Sequence, residues 1–257
     1  MDGLQLAAGE NVVAAFLLAV ARTAGFVMVS PPFASRAVPG RVKSGLSVAL
    51  ALPLTAVLQP TAPRLQSTEI VVQMALQVFM GATLGFFVLV AVATIQAVGD
   101  LLDLVGGFSL SMAMDPLMLV QASVLGRLHQ LVATTLLFAS GGHLMILNGL
   151  ARSFELMPTA AVQWDTLAAA VTRDVGNLLL GALQIAAPVV AAMLVADVGL
   201  GLLTRAAPAL NAFALAMPLK ILFTLLLVGL VISRLPEALG RLIEQAVLTG
   251  LGLGGGG

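Results

Sequence analysis

Apolar positions in this chain come in long blocks rather than in short alternation. Ile70 to Gly99 runs for 30 residues without a charge, and Ser44 to Pro63, Leu128 to Ala151 and Val175 to Ala196 are each uncharged for 20 or more. A helix that crosses a hydrocarbon core needs roughly 20 apolar residues, so each block predicts a membrane-type helix. Proline and glycine divide the chain into about six hydrophobic segments, roughly 11–34, 43–59, 69–104, 125–150, 168–203 and 212–233. Pro31-Pro32 and Pro39 mark the first connection, Pro60 and Pro63 the second, Pro158 the fourth, and Arg205 to Asn211 forms the fifth. The third segment is too long for a simple crossing, since its uncharged part alone rises about 45 Å against a core of about 30 Å. It must tilt, bend or extend beyond the bilayer. Gly81 and Gly85 lie four apart on one face of it, a spacing found where membrane helices pack closely. The pattern predicts an all-α fold: one helical domain over residues 1–249, followed by a flexible glycine-rich tail at 250–257.

The third connection stands apart from the others. Gly106-Gly107 ends the apolar run, Ser109, Ser111 and Ala113 alternate with Phe108, Leu110, Met112 and Met114, and Asp115-Pro116 closes the stretch. This is an irregular loop with Gly106, Gly107, Asp115 and Pro116 as its hinges. Irregular backbone at membrane depth is tolerated only where it is wrapped in protein or lines a cavity. Methionine adapts its shape to irregular surfaces, so the loop fits a seal over an opening; it equally fits a static filler between helices.

Composition turns this pattern into a class. The chain is 60% hydrophobic and 9% charged, with a mean hydropathy of +1.07, against about 25% charged residues in soluble domains. It is an integral membrane protein or a subunit buried in one. The net charge is zero with no basic run, so nucleic acid is not an expected partner, and the absence of cysteine removes disulfide and thiolate chemistry. No Lys or Arg precedes Arg22, so a cleaved secretory signal is not expected. Orientation is weakly encoded. If the first connection is cytoplasmic, Arg36, Arg41, Lys43, Arg127, Arg205 and Lys220 fall inside, while Arg64, Arg152, Arg173, Arg234 and Arg241 fall outside. So even a division suggests that the apolar runs do not all cross the bilayer.

Catalytic and metal motifs fail on inspection. His129 and His143 are the only histidines and lack a His-Glu-x-x-His spacing. Ala97 stands where an intramembrane aspartyl protease would have the first glycine before Gly99-Asp100, and Gly107-Phe108-Ser109-Leu110 lacks the last glycine of a rhomboid-like motif. With no nucleophile, base and orienting group together, neither enzymatic activity nor a cofactor is expected. Charges within or beside the apolar runs carry more weight. Arg22, Asp197, Arg205 and Lys220 would each cost about 2.5 to 3.5 kcal/mol at a membrane centre, so they face protein, water or the interface. Inter-subunit pairing or a polar pathway is one reading, and snorkelling from helix ends is the other. Asp100 and Asp103 lie one turn apart near the end of the third segment, where carboxylates oppose the helix dipole. An aqueous vestibule beside the loop and an exposed helix end both accommodate them.

Several pieces then read together. Ser30-Pro31-Pro32-Phe33-Ala34-Ser35-Arg36-Ala37-Val38-Pro39-Gly40-Arg41-Val42-Lys43 comes first; Gly99-Asp100 to Asp115-Pro116 is followed by Leu136-Leu137-Phe138, Gly142-His143-Leu144, Ser153-Phe154-Glu155-Leu156 and Pro158. Ala207-Pro208-Ala209-Leu210-Asn211-Ala212-Phe213 and Pro218-Leu219-Lys220 complete the series. In order and spacing, over about residues 12–245, they resemble the FliR family of flagellar type III export-gate proteins, which has an injectisome counterpart. The Gly-His-Leu and Ser-Phe pieces look more flagellar. The resemblance implies a non-enzymatic, all-helical subunit of helical hairpins, built with FliP and FliQ into a spiral hetero-oligomer in the bacterial inner membrane at the flagellar basal body. It implies FlhB and FlhA as further partners, membrane lipid around the assembly, and unfolded polypeptide as cargo. It also implies that Phe108, Ser109, Leu110, Ser111, Met112, Ala113 and Met114 form a plug. From another class, a stand-alone solute transporter would gather Arg22, Asp197, Arg205 and Lys220 into a substrate site.

Overall fold

The computed structural model describes residues 2–62, 69–108, 123–157, 164–206 and 212–252. Every regular element among them is helical: α1 (Asp2–Val29), α2 (Gly40–Leu58), α3 (Glu69–Gly106), α4 (Val124–Ala139), α5 (Gly142–Leu156), α6 (Trp164–Ala206) and α7 (Ala212–Gly250), with a 3₁₀ turn at Gln59–Thr61. Among the described residues, five helices are long and apolar enough to cross a membrane, with up to six crossings if α4 and α5 together count as one. The protein is therefore an all-α membrane protein.

Helices α3, α6 and α7 contain 38, 43 and 39 residues. At 1.5 Å per residue they are roughly 57 to 65 Å long, whereas a crossing tilted by 40° needs only about 39 Å. Each therefore extends beyond the hydrocarbon. The apolar run predicted to end near residue 233 continues as helix to Gly250 because the pattern changes there without stopping. Leu235, Leu239, Ile243 and Ala246 are buried along one face, while Glu237 and Arg241, 3.7 Å apart, are exposed on the other. That is an amphipathic helix joined to an apolar one.

The fourth predicted segment is not one helix. It breaks after Ala139, where Ser140 caps α4 and Gly141 takes φ of +76°, a left-handed conformation that costs a residue with a Cβ about 1 kcal/mol or more. The run Leu128 to Ala151 carries no charge, so a count of uncharged residues reads straight through Ser140-Gly141-Gly142.

The helices contribute to two compact units. Residues 1–91, 141–174 and 242–257 form one, and residues 92–140 and 175–241 form the other. In the first, α1 lies against α3 with almost no side chain between them. Gly81 sits on the carbonyl of Arg22, and a Cβ there would also meet the Arg22 carbonyl carbon at 2.8 Å and the Phe26 nitrogen at 2.9 Å. Gly25 lies in the same way on Val78, and Gly85 on Ser30 and Phe26. The Gly81/Gly85 spacing is thus a true close-packing face. Helix α2 joins α1 through Thr23, whose hydroxyl donates to the Ser47 carbonyl at 2.9 Å.

Candidate functional site at the flanks of the irregular loop

Of the loop residues singled out from the sequence, Gly106, Gly107 and Phe108 are described; Ser109, Leu110, Ser111, Met112, Ala113, Met114, Asp115 and Pro116 lie outside the described residues. The two flanks of the loop belong to the second unit. Helix α3 stops at Gly106, and Gly107 follows with φ of +81°, the left-handed position that commonly ends a helix. Phe108 is half-buried.

On the far flank α4 begins at Ser123, whose hydroxyl oxygen accepts from the Gly126 N–H at 2.8 Å. This is an ordinary serine cap, worth about 1 kcal/mol. A second cap comes from α3: the buried carboxylate of Asp103 accepts from the Leu125 N–H at 3.3 Å. Asp100, one turn earlier, lies where a side chain on Gly126 would stand, and Gly99 lies directly on the Leu125 backbone. Both carboxylates thus oppose the dipole of their own helix but sit at the positive start of α4, where negative charge is stabilising. Asp103 is accordingly not at an exposed helix end. It fastens the two flanks to each other at a point one turn below the loop.

Replacing Asp103 by Ala removes a buried acceptor and leaves the Leu125 N–H without it, at a cost of about 1–3 kcal/mol. Hydrogen exchange at Leu125 to Arg127 should accelerate roughly tenfold, the equivalent of about 1.4 kcal/mol of local opening, whereas Asp103→Asn retains the oxygen and should change it little. Equal exchange in wild type and Asp103→Ala would show that the contact does not hold the flank.

The base of the loop also meets α7. Gly106 packs on Thr224, whose methyl and hydroxyl leave no space for a Cβ. The Thr224 hydroxyl lies 2.9 Å from the Lys220 carbonyl and 3.8 Å from the sulfur of Met193. One turn away, Lys220 forms an ion pair with Asp197 of α6 at 2.7 Å, the side chains being 23% and 41% exposed respectively. The sequence left these two charges to inter-subunit pairing, a polar pathway or snorkelling. The fold pairs them within the chain. Arg205 is exposed in the last turn of α6, where a cation favours the helix dipole.

Arg22, a possible inter-subunit or polar-pathway charge by its sequence position, lies in the first unit. It is fully buried, and its guanidinium donates to the Gln77 side-chain oxygen at 2.5 Å, the Ser153 carbonyl at 2.6 Å and hydroxyl at 3.2 Å, and the Met157 carbonyl at 2.6 Å. The ring of Phe154 lies 4.4 Å below it. Ser153 and Met157 offer terminal carbonyls of α5, the negative end of that helix, so Arg22 caps α5 from α1. Its planar fork matches several carbonyls at once, which is why no surface cation is presented here. Gln77 and Phe154 were passed over in the sequence as acceptor and ring. The signal available was a long polar side chain within an apolar run, together with the Ser-Phe piece already noted.

These features define an integral membrane protein of long helices, with Arg22 and the Asp197–Lys220 pair satisfied within the chain and the flanks of an irregular loop fastened to neighbouring helices. The chain belongs to the family of bacterial export proteins, family 1, whose model matches residues 13–246. It is similar to the flagellar biosynthetic protein FliR of Pectobacterium carotovorum, with 29% identity over 91% of this chain and 90% of that protein. The FliR of Bacillus subtilis is 27% identical over 80% of this chain and 82% of its own length. The surface presentation of antigens protein SpaR of Salmonella typhimurium is 27% identical over 94% and 91%. The protein is a membrane component of bacterial export machinery.

Proposed function

We propose that the chain is a structural and gating subunit of the flagellar type III protein export gate. With FliP and FliQ it forms the channel for unfolded flagellar proteins in the bacterial inner membrane, in contact with FlhB and FlhA, and it has no catalytic role of its own. The stretch from Phe108 to Met114 is the plug, and Gly106, Gly107, Asp115 and Pro116 are its hinges. The observation that carries this reading is the fastening of both loop flanks, by Asp103 to the first turn of α4 and by Gly106 against Thr224. A segment that must close an opening needs fixed ends, and the family match supplies the export context. Against the solute-transporter alternative stands the engagement of three of its four charges elsewhere: Arg22 caps α5, and Asp197 pairs with Lys220. The SpaR match favours, as a second reading, the injectisome counterpart of the same gate.

Co-expression with FliP and FliQ should yield one monodisperse complex. Deleting Phe108 to Met114 should leave that complex intact while raising the ion permeability of cells or proteoliposomes severalfold. Vesicles as tight as wild type after the deletion refute the plug. A chain that remains stable alone and transports a solute refutes the gate.

A further inference from the structure

We propose that the start of α2 and the connector before it form a binding surface for an anionic phospholipid. The connector between α1 and α2 is cationic without compensation: no Asp or Glu occurs between Glu10 and Glu69. Arg36 and Arg41 are exposed, and among the described residues neither makes an ion pair. The connector is ordered rather than loose. The Ser35 N–H donates to the Pro32 carbonyl at 3.3 Å, the Val38 N–H to the Ser35 carbonyl at 3.1 Å, and the Lys43 ammonium to the Ala34 carbonyl at 2.9 Å. Lys43 therefore binds the connector to the first turn of α2, which keeps Arg36 at the same end of the helix as Arg41.

Below this cationic end lies an apolar stripe. Arg41, Gly45, Val48 and Leu52 follow a spacing of four, three and four, which places them on one helix face, and all four are exposed. Leu52 is 62% exposed and Val42, beside Arg41, 54%. A neighbouring face is occupied, with Ser47 and Ala51 buried. From Arg41 to Leu52 the helix rises roughly 16 Å, close to the half-thickness of about 15 Å of a hydrocarbon core. The arginines thus stand at headgroup level while the stripe matches one acyl leaflet, and their charge selects an anionic headgroup over a zwitterionic one. A protein partner would need acidic side chains over an equally apolar flank and is the rival outcome.

The test uses the full chain extracted in mild detergent with whatever subunits it retains. Native mass spectrometry compares retention of phosphatidylglycerol with that of phosphatidylcholine of the same acyl chains. Wild type should retain phosphatidylglycerol preferentially. Arg36→Gln and Arg41→Gln should each reduce the preference roughly fivefold, while Leu52→Asn should weaken both lipids alike. Equal retention of the two lipids by wild type, or an unchanged preference in the double arginine variant, overturns the proposal. So does loss of a retained protein subunit with the lipid preference intact, which would assign the surface to a protein interface. The inference stands on the membrane character of the chain and not on its export role.

Discussion

Arg22→Ala should lower the stability of the folded protein by about 3–5 kcal/mol, the largest single-residue loss expected in this chain. The substitution removes the cation that donates to the buried Gln77 oxygen and Ser153 carbonyl and to the part-buried Met157 carbonyl. Each hydrogen bond lost from a charged donor costs about 1.5–3 kcal/mol, and the vacated stem above Phe154 adds a cavity. Arg22→Lys retains the charge but not the fork, so it should recover only part of the loss. Arg22→Met fills the space without supplying donors and should resemble Ala more than Lys. Thermal melting followed by circular dichroism, on the full chain or its native complex, measures the series. A melting temperature within about 2 °C of wild type for Arg22→Ala would show that the network contributes little, since 1 kcal/mol corresponds to roughly 2–4 °C at this size.

Gly81→Val should separate α1 from α3. Even the Cβ of alanine would overlap the Arg22 carbonyl, and the obstructing atoms are backbone, which cannot rotate aside. Relief requires movement of a whole helix. That movement withdraws Gln77, one turn before Gly81, from its hydrogen bond to Arg22. The expected cost is about 2–4 kcal/mol for Val and somewhat less for Ala, in the upper range for overpacking. Because both substitutions break the same contact, Gly81→Ala combined with Arg22→Ala should cost less than the sum of the two. Strict additivity in that double-mutant cycle would rule out the coupling. Gly45→Ala, where nothing lies within 4 Å, is the matched control and should be nearly neutral.

These expectations lie at different distances from the sequence. The end of α3 was legible in it because a Gly-Gly pair after an apolar run is a local signal, and the left-handed Gly107 uses that freedom. Asp100 and Asp103 were legible as anomalies, carboxylates at the wrong end of a helix. Their explanation was not, because the helix whose dipole they favour begins 20 residues after Asp103, at Ser123. The turn at Ser140-Gly141 is hidden from a reading by charge, because the uncharged run continues on both sides of it.

The sequence by itself determined the class of this protein. Uncharged runs of 20 residues and more dictate membrane-type helices through solvation alone, and the ordered motifs indicated the export family that the comparison confirms. Tertiary structure alone decided what the charges do. Arg22 meets partners 55, 131 and 135 residues away, and Lys220 meets Asp197 across 23. Which helix faces come together is set by packing of surfaces distant in the chain. A lone cation in an apolar run therefore reads the same whether it awaits another subunit, a lipid or, as Arg22 does, the end of a neighbouring helix.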